Sequence, residues 1–128
     1  MKYHVVVEPF ALRHFIKSFA KKYPGAWERT YSGLLLEFSL VDLLFQKSIA
    51  ETILESEEVK ICKTEFKIAG TEYSRHSSGN RCIIAVHKDS HRVSVLLVYG
   101  KTDIPSHNET MQWKKIVREA YPEYKDIL

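Results

Sequence analysis

Between Lys63 and His107 the chain gathers the side chains that metal-free phosphate chemistry uses. Cleaving a phosphodiester without a metal needs a base for the ribose 2′-hydroxyl proton. It also needs cations for the charge that develops on the phosphorane oxygens, and an acid for the leaving 5′-oxygen. Lys67, Arg75, Arg81 and Lys101 supply cations on or beside expected strands. Converging on one face, they would form a phosphate-sized cationic site; dispersed, they would be the charges that keep a sheet edge from pairing with other chains. Tyr73, His76, His87, His91, Tyr99 and His107 offer proton-transfer groups in the same stretch. His107 follows an expected strand in a loop and is expected to face solvent, whereas His87 closes a strand and reads as a packed or turn residue.

The charge distribution points to the same stretch. The net charge is +3, yet residues 59–101 carry 8 Lys and Arg against 3 Asp and Glu, whereas residues 1–58 carry 7 against 8 and residues 102–128 carry 4 against 5. The middle segment alone therefore has the excess that suits a polyanionic partner. No competing catalytic signature is present: there is no GxSxG elbow, phosphate-binding glycine string, HExxH or paired CxxC. No two histidines sit one turn apart within an expected helix, so neither a metal site nor a cofactor is expected. Cys62 and Cys82, each flanked by apolar residues, are expected to be two buried thiols rather than a disulfide framework.

These groups need a scaffold, and 128 residues with 45% hydrophobic side chains are enough for one self-sufficient domain spanning 1–128. The opening MKYHVVVEPF lacks a signal peptide's apolar stretch and no 18-residue apolar run occurs, so cytoplasmic residence without membrane contact is expected. Tyr3–Val7 reads as a first strand, closed by Glu8-Pro9. Phe10, Ala11, Phe15, Ile16 and Phe19 recur at helical spacing until Tyr23-Pro24-Gly25. A second helix is expected from Ala26 through Phe45, unbroken over five turns, so that the two make a helical hairpin. Gln46–Glu58 reads either as a third short helix or as a mobile connection.

From Val59 the hydrophobic period changes to two, marking the start of a sheet. Arg81–His87 and Arg92–Tyr99 are expected as adjacent antiparallel strands joined by Lys88–His91, and VSVLLVY reads as a central strand covered on both faces. Thr102–Asn108, with Pro105, is a loop before a last helix from Glu109. Trp113, Tyr121 and Tyr124 are expected to pack on the core. The expected class is α+β in two layers: an N-terminal strand, a helical hairpin, an antiparallel sheet of three to four strands and a C-terminal helix.

The segment Gly79-Asn80-Arg81-Cys82-Ile83-Ile84-Ala85-Val86, a charged turn, and then Val93-Ser94-Val95-Leu96-Leu97-Val98-Tyr99-Gly100-Lys101 resembles the C-terminal half of the RelE/ParE toxin superfamily. Upstream, Phe66-Lys67-Ile68-Ala69-Gly70 is similar to that family's lysine-and-glycine element. The resemblance implies a RelE-like fold and the toxin of a type II toxin–antitoxin pair, an endoribonuclease that cuts mRNA at the ribosome through the ribose 2′-oxygen. It implies a cognate antitoxin as partner, a segment that folds over the sheet. Lys67 would match a base or phosphate ligand, Arg75 and Arg81 the arginines that stabilise the transition state, Lys101 the basic residue closing the last strand, and His107 a catalytic tyrosine or histidine. Lys63, Lys67, Arg75, Arg81, Arg92 and Lys101 would together bind the nucleic acid. The chain departs from the pattern in its greater length, its extended helical region and its YPEYKDIL tail. Some members of the superfamily inhibit gyrase, and a non-catalytic RNA- or protein-binding domain on the same fold is the further alternative.

Overall fold

Apolar side chains on both faces of one sheet decide the architecture. The computed structural model of the chain describes residues 2–104 and 106–128, so the loop residue Pro105 lies outside the described residues. Strands β1 (His4–Val7), β2 (Ala50–Glu55), β3 (Val59–Phe66), β4 (Asn80–His87) and β5 (Arg92–Tyr99) form one sheet in the order β1-β5-β4-β3-β2. β2 through β5 pair antiparallel, and β1 lies parallel to β5 with Val5 opposite Val93. The protein is α+β, with the expected strand, helical hairpin, antiparallel sheet and closing helix.

Helix α1 starts at Pro9, whose fixed φ and missing N–H suit a first helical position. Its α-helical turns Pro9–Ala11 and Lys17–Lys22 flank a π turn over Leu12–Ile16. With α2 (Ala26–Ser39) and α3 (Val41–Gln46) it covers one face of the sheet. There Phe19, Trp27, Phe38 and Val41 pack on Cys62, Phe66, Ile84 and Val95. Helix α4 (Glu109–Ala120) covers the other face with Trp113 and Val117 one turn apart, followed by Tyr121 and Tyr124, against Ile61, Ile83, Ala85 and Leu97. Trp113, Tyr121 and Tyr124 are thus core residues, as their spacing predicts. Cys62 and Cys82 are buried free thiols; burial pushes the Cys62 thiol up to about 11 and the Cys82 thiol higher still.

Two elements differ from the sequence reading. The expected single helix from Ala26 to Phe45 breaks at Leu40, where ψ is +42°. The Ser39 carbonyl, which a continuous helix would give to Leu43, accepts instead the Tyr3 N–H at 2.8 Å, and Leu43 N–H bonds the Leu40 carbonyl. The Ser39 hydroxyl also donates to the Leu36 carbonyl at 2.6 Å. Gln46–Glu58 is neither a third helix nor a loose connection, because its central six residues, Ala50–Glu55, are the edge strand β2. Only Ala50 of that strand is buried, so it carries no hydrophobic alternation for the sequence to display.

A bulge changes the facing of the last residues of β5. Ile83 pairs with Leu97 but Ile84 with Val95, leaving Leu96 as an extra residue. Leu96 and Leu97 both join the α4-side core, and the register beyond is reversed, so Tyr99 rather than Val98 faces α4. The Tyr121 hydroxyl donates to the Leu96 carbonyl at 2.6 Å.

Candidate functional site

Strand alternation sends Lys63 and Glu65 of β3 and Arg81 of β4 to the α4 face, beyond the apolar core at the end of the sheet where β4 begins. Glu65, Arg81 and Tyr99 lie in one row across three strands, Glu65 opposite Arg81 and Arg81 opposite Tyr99. The first turn of α4 brings Glu109 to the same place, where a carboxylate also complements the helix N-terminus. A cleft of about 460 Å³ opens here, lined by Lys63, Arg81, His107, Asn108, Glu109 and neighbouring residues of α4.

Arg81 organises this region. Its side chain is only 10% exposed, and it donates to the Asn80 carbonyl at 3.0 Å and the His76 carbonyl at 3.3 Å. Its guanidinium is 3.5 Å from Glu65 Oε2, and the same oxygen meets His76 Nδ1 at 2.9 Å. The His76 ring is otherwise in solvent, 85% exposed, so a carboxylate orients an imidazole whose other nitrogen is accessible. Glu109 accepts the Tyr99 hydroxyl at 3.1 Å and stands 3.8 Å from Lys63 Nζ. Burial first, and then the Glu109 carboxylate, raise the Tyr99 phenol well above its ordinary value despite the opposing Arg81 charge. Tyr99 is therefore a fixed hydrogen-bond donor and has no phenolate to act as base.

The cations expected to converge are divided among separate places. Lys63, Arg81 and His107 share the α4-side cleft, with His107 exposed in the 3₁₀ turn Ser106–Asn108. Arg75 and Lys67 line a different groove, on the α2 face. There Arg75 is held two-handed by Glu37, at 2.6 and 3.4 Å, and donates to the Glu65 carbonyl at 3.3 Å. Lys101 lines a third cavity, beside α1. Arg92 is at the opposite end of the sheet, donating to His87 Nε2 at 3.1 Å. Tyr124 also meets that nitrogen, at 2.9 Å, and His91 lies in the turn there with its ring against Tyr3. Arg92 opens β5 opposite His87, at the far end of β4 from Arg81, so the register holds the two arginines roughly 20 Å apart along the sheet.

Glu65 is the functional candidate that sequence reasoning missed. A single glutamate on an alternating strand has no distinctive spacing, and only the β3–β4 register sets it against Arg81. Among the described residues no group of three or more His, Cys, Asp or Glu side chains is disposed to hold a metal ion. No helix among them is long and apolar enough to cross a membrane.

No protein-family model matches the chain, and no curated protein matches it. Among solved structures the chain is similar to the archaeal RelE–RelB complex from Pyrococcus horikoshii OT3, at 15% identity over 79% of this chain and 97% of the other, with a TM-score of 0.46. At that distance, what the chain does has to be argued from its own side chains.

Proposed function

We propose that the chain is a RelE-like toxin that cleaves RNA without a metal, using the cleft between β3, β4 and α4. The reading rests on one grouping: an exposed imidazole oriented by a carboxylate, a nearly buried arginine in an ion pair with that same carboxylate, and a lysine and a second exposed imidazole lining the same cleft as that arginine. His76, steadied by Glu65, accepts the 2′-hydroxyl proton. The 2′-oxygen bonds to phosphorus while Arg81 and Lys63 hold the phosphorane oxygens. The bond to the 5′-oxygen breaks as His107 gives it a proton. The products are a 2′,3′-cyclic phosphate and a free 5′-hydroxyl, so no co-reactant is consumed. Lys67 and Arg75 are outside this machinery, and their part is confined to contact with the strand. Cellular mRNA, presented by the ribosome in the cytoplasm, is the proposed substrate, and an antitoxin that covers the cleft the proposed partner.

The test is cleavage of a defined mRNA with and without translating ribosomes, mapping the chemistry of the new ends. Wild type should leave cyclic phosphates, and His76→Ala, Glu65→Gln and His107→Ala should each slow cleavage while the fold persists. Salt-dependent RNA binding with no product, by a folded wild type, would overturn the catalytic reading and leave a binding domain. Loss of supercoiling activity by gyrase in place of RNA cleavage would redirect it to DNA topology.

A further inference from the structure

On the opposite face of the same sheet end lies a cavity of about 300 Å³, between α1, the loop leading into β4 and the loop after β5. Its floor is apolar, made by the buried Phe19 and Ile68. Tyr23 and Tyr73 flank it, Tyr73 with 62% of its surface exposed. Lys22 and Lys101 are its cations, and Asp103 is its one carboxylate, with Oδ2 occupied by the Gly100 N–H at 2.7 Å.

Lys101 is brought there by an absence. Gly79, at φ +75°, has no side chain, and a Cβ added to it would fall 2.4 Å from Lys101 Cβ. The lysine stem therefore lies directly across the glycine. Lys22 Nζ stands 5.4 Å from the centre of the Tyr23 ring, which ties the second ammonium to an aromatic wall. Around them the small hydroxyls are engaged within the protein: Ser78 donates to Phe66 and Arg75 carbonyls, Ser18 to Phe15 and Thr71 to Ile68. The rim is thus pre-formed.

The two lysines differ from the cations of the other cleft. Lys63 and Arg81 each have a carboxylate partner, whereas among the described residues neither Lys22 nor Lys101 forms an ion pair. Two ammoniums without an ion-pair partner against one carboxylate, an apolar floor and two tyrosine walls, in a space at the lower limit of small-molecule sites, match an anion attached to one flat ring. We propose that this cavity binds a single nucleoside 5′-monophosphate, its phosphate on Lys22 and Lys101 and its base against Tyr73 and Tyr23. Such a group comes from a free nucleotide or from one residue of an RNA strand. Asn80 lines this cavity and Arg81, its neighbour, lines the other, so one strand passing around the sheet end would reach both. Nucleotide binding here does not depend on cleavage in the other cleft.

The test is calorimetric titration of the full chain with 5′-UMP and 5′-AMP, with uridine and inorganic phosphate as partial probes. Saturable binding that weakens with salt is expected, with both partial probes weaker than the nucleotides. Lys101→Met and Lys22→Met should each weaken it about tenfold, a change of about 1.4 kcal/mol, and Lys125→Met should not. Both lysines are exposed, so unchanged circular dichroism should accompany the loss. Displacement of UMP by a 5′-phosphorylated oligouridylate would assign the site to an RNA strand, and failure to displace it would assign the site to free nucleotide. No saturable binding of either nucleotide, or binding that both lysine variants leave intact, would overturn the inference. RNA cleavage without nucleotide binding would sink this inference alone, and nucleotide binding without cleavage would sink only the catalytic reading.

Discussion

Replacing Arg81 separates strut from catalyst. Its guanidinium donates to two backbone carbonyls and pairs with Glu65 at 3.5 Å, all from a side chain 10% exposed. A hydrogen bond to a charged group contributes about 1.5–3 kcal/mol net. The carbonyls freed by truncation lie near the surface and regain water, so the three contacts of Arg81→Ala sum to less than three such terms, about 2–4 kcal/mol. Unfolding entropy of about 2.1 cal/mol/K per residue gives about 0.27 kcal/mol/K for a chain of this length, so the melting temperature should fall by about 7–15 °C. Arg81→Lys keeps a charge for Glu65 but loses the planar fork, so its fall should be smaller. Catalysis should respond differently: losing a preorganised donor at the phosphorane slows cleavage by about 10²–10³, and the lysine, unable to hold carbonyl and phosphate together, should also be slow. Thermal melts first measure these falls and establish a temperature at which every variant is folded, and single-turnover cleavage is then measured there. Wild-type cleavage by folded Arg81→Ala would remove Arg81 from the mechanism, and wild-type cleavage by Arg81→Lys would show that a point charge is sufficient.

Three other substitutions and one labelling experiment probe the framework. Tyr99→Phe deletes the donor to Glu109 and should lower stability by about 1.5–3 kcal/mol while leaving cleavage near wild type; a large rate loss in the folded variant would return Tyr99 to the catalytic set. Trp113→Ala empties a fully buried site under α4 and should lower the unfolding free energy by about 3–5 kcal/mol in urea melts, and a loss under about 1 kcal/mol would contradict the packing described. Burial, and next the Arg92 charge, hold the His87 imidazole below its ordinary value. The unfolded chain therefore takes up this proton first: the stabilisation is whole above about pH 6.5 and is lost as pH falls through the lower folded value. His87→Gln should flatten the decline of urea midpoints across that window, and parallel declines in variant and wild type would refute the assignment. Both thiols should resist iodoacetamide at about pH 8 until denaturant is added, as read by intact mass; Cys62 is held near 11 by burial and Cys82 is higher.

What the sequence made legible depended on how local each cause is. β4, β5 and the turn between them follow from consecutive apolar residues flanked by turn formers, and α4 follows from Trp113, Val117 and its acidic first turn. The break at Leu40 depends on the Tyr3 amide, 36 residues from Ser39, so no local pattern announces it. β2 is an edge strand with a mostly exposed surface and reads as a connector for that reason. In the site, Lys63, Arg81 and His107 were recognisable as residue types, and these three do share one cleft. The dispersal of Lys67, Arg75, Arg92 and Lys101 followed from strand length and loop path, which charge counting does not encode. Glu65 acquires meaning only from the β3–β4 register, and Tyr99 reaches the row only because the bulge at Leu96 reverses the phase of β5.

The parallel pairing of β1 with β5 also sets a timetable. His4 is paired with Arg92 and Val7 with Val95, so the partner of the earlier strand is made 88 residues later. At ~5–20 residues per second of synthesis, β1 waits roughly 4–18 s for it. During that interval its valines have no sheet to join, and Tyr3 can be held near by the Ser39 carbonyl at the helix break and by the Asp42 carboxylate, to which its hydroxyl donates at 3.2 Å. Arg81 and Glu65 can pair as soon as β3 and β4 have been made, but Glu109 and His107 arrive only after β5. The proposed catalytic cleft is therefore the last part of the sheet end to be assembled, and it cannot be complete until α4 has begun to form.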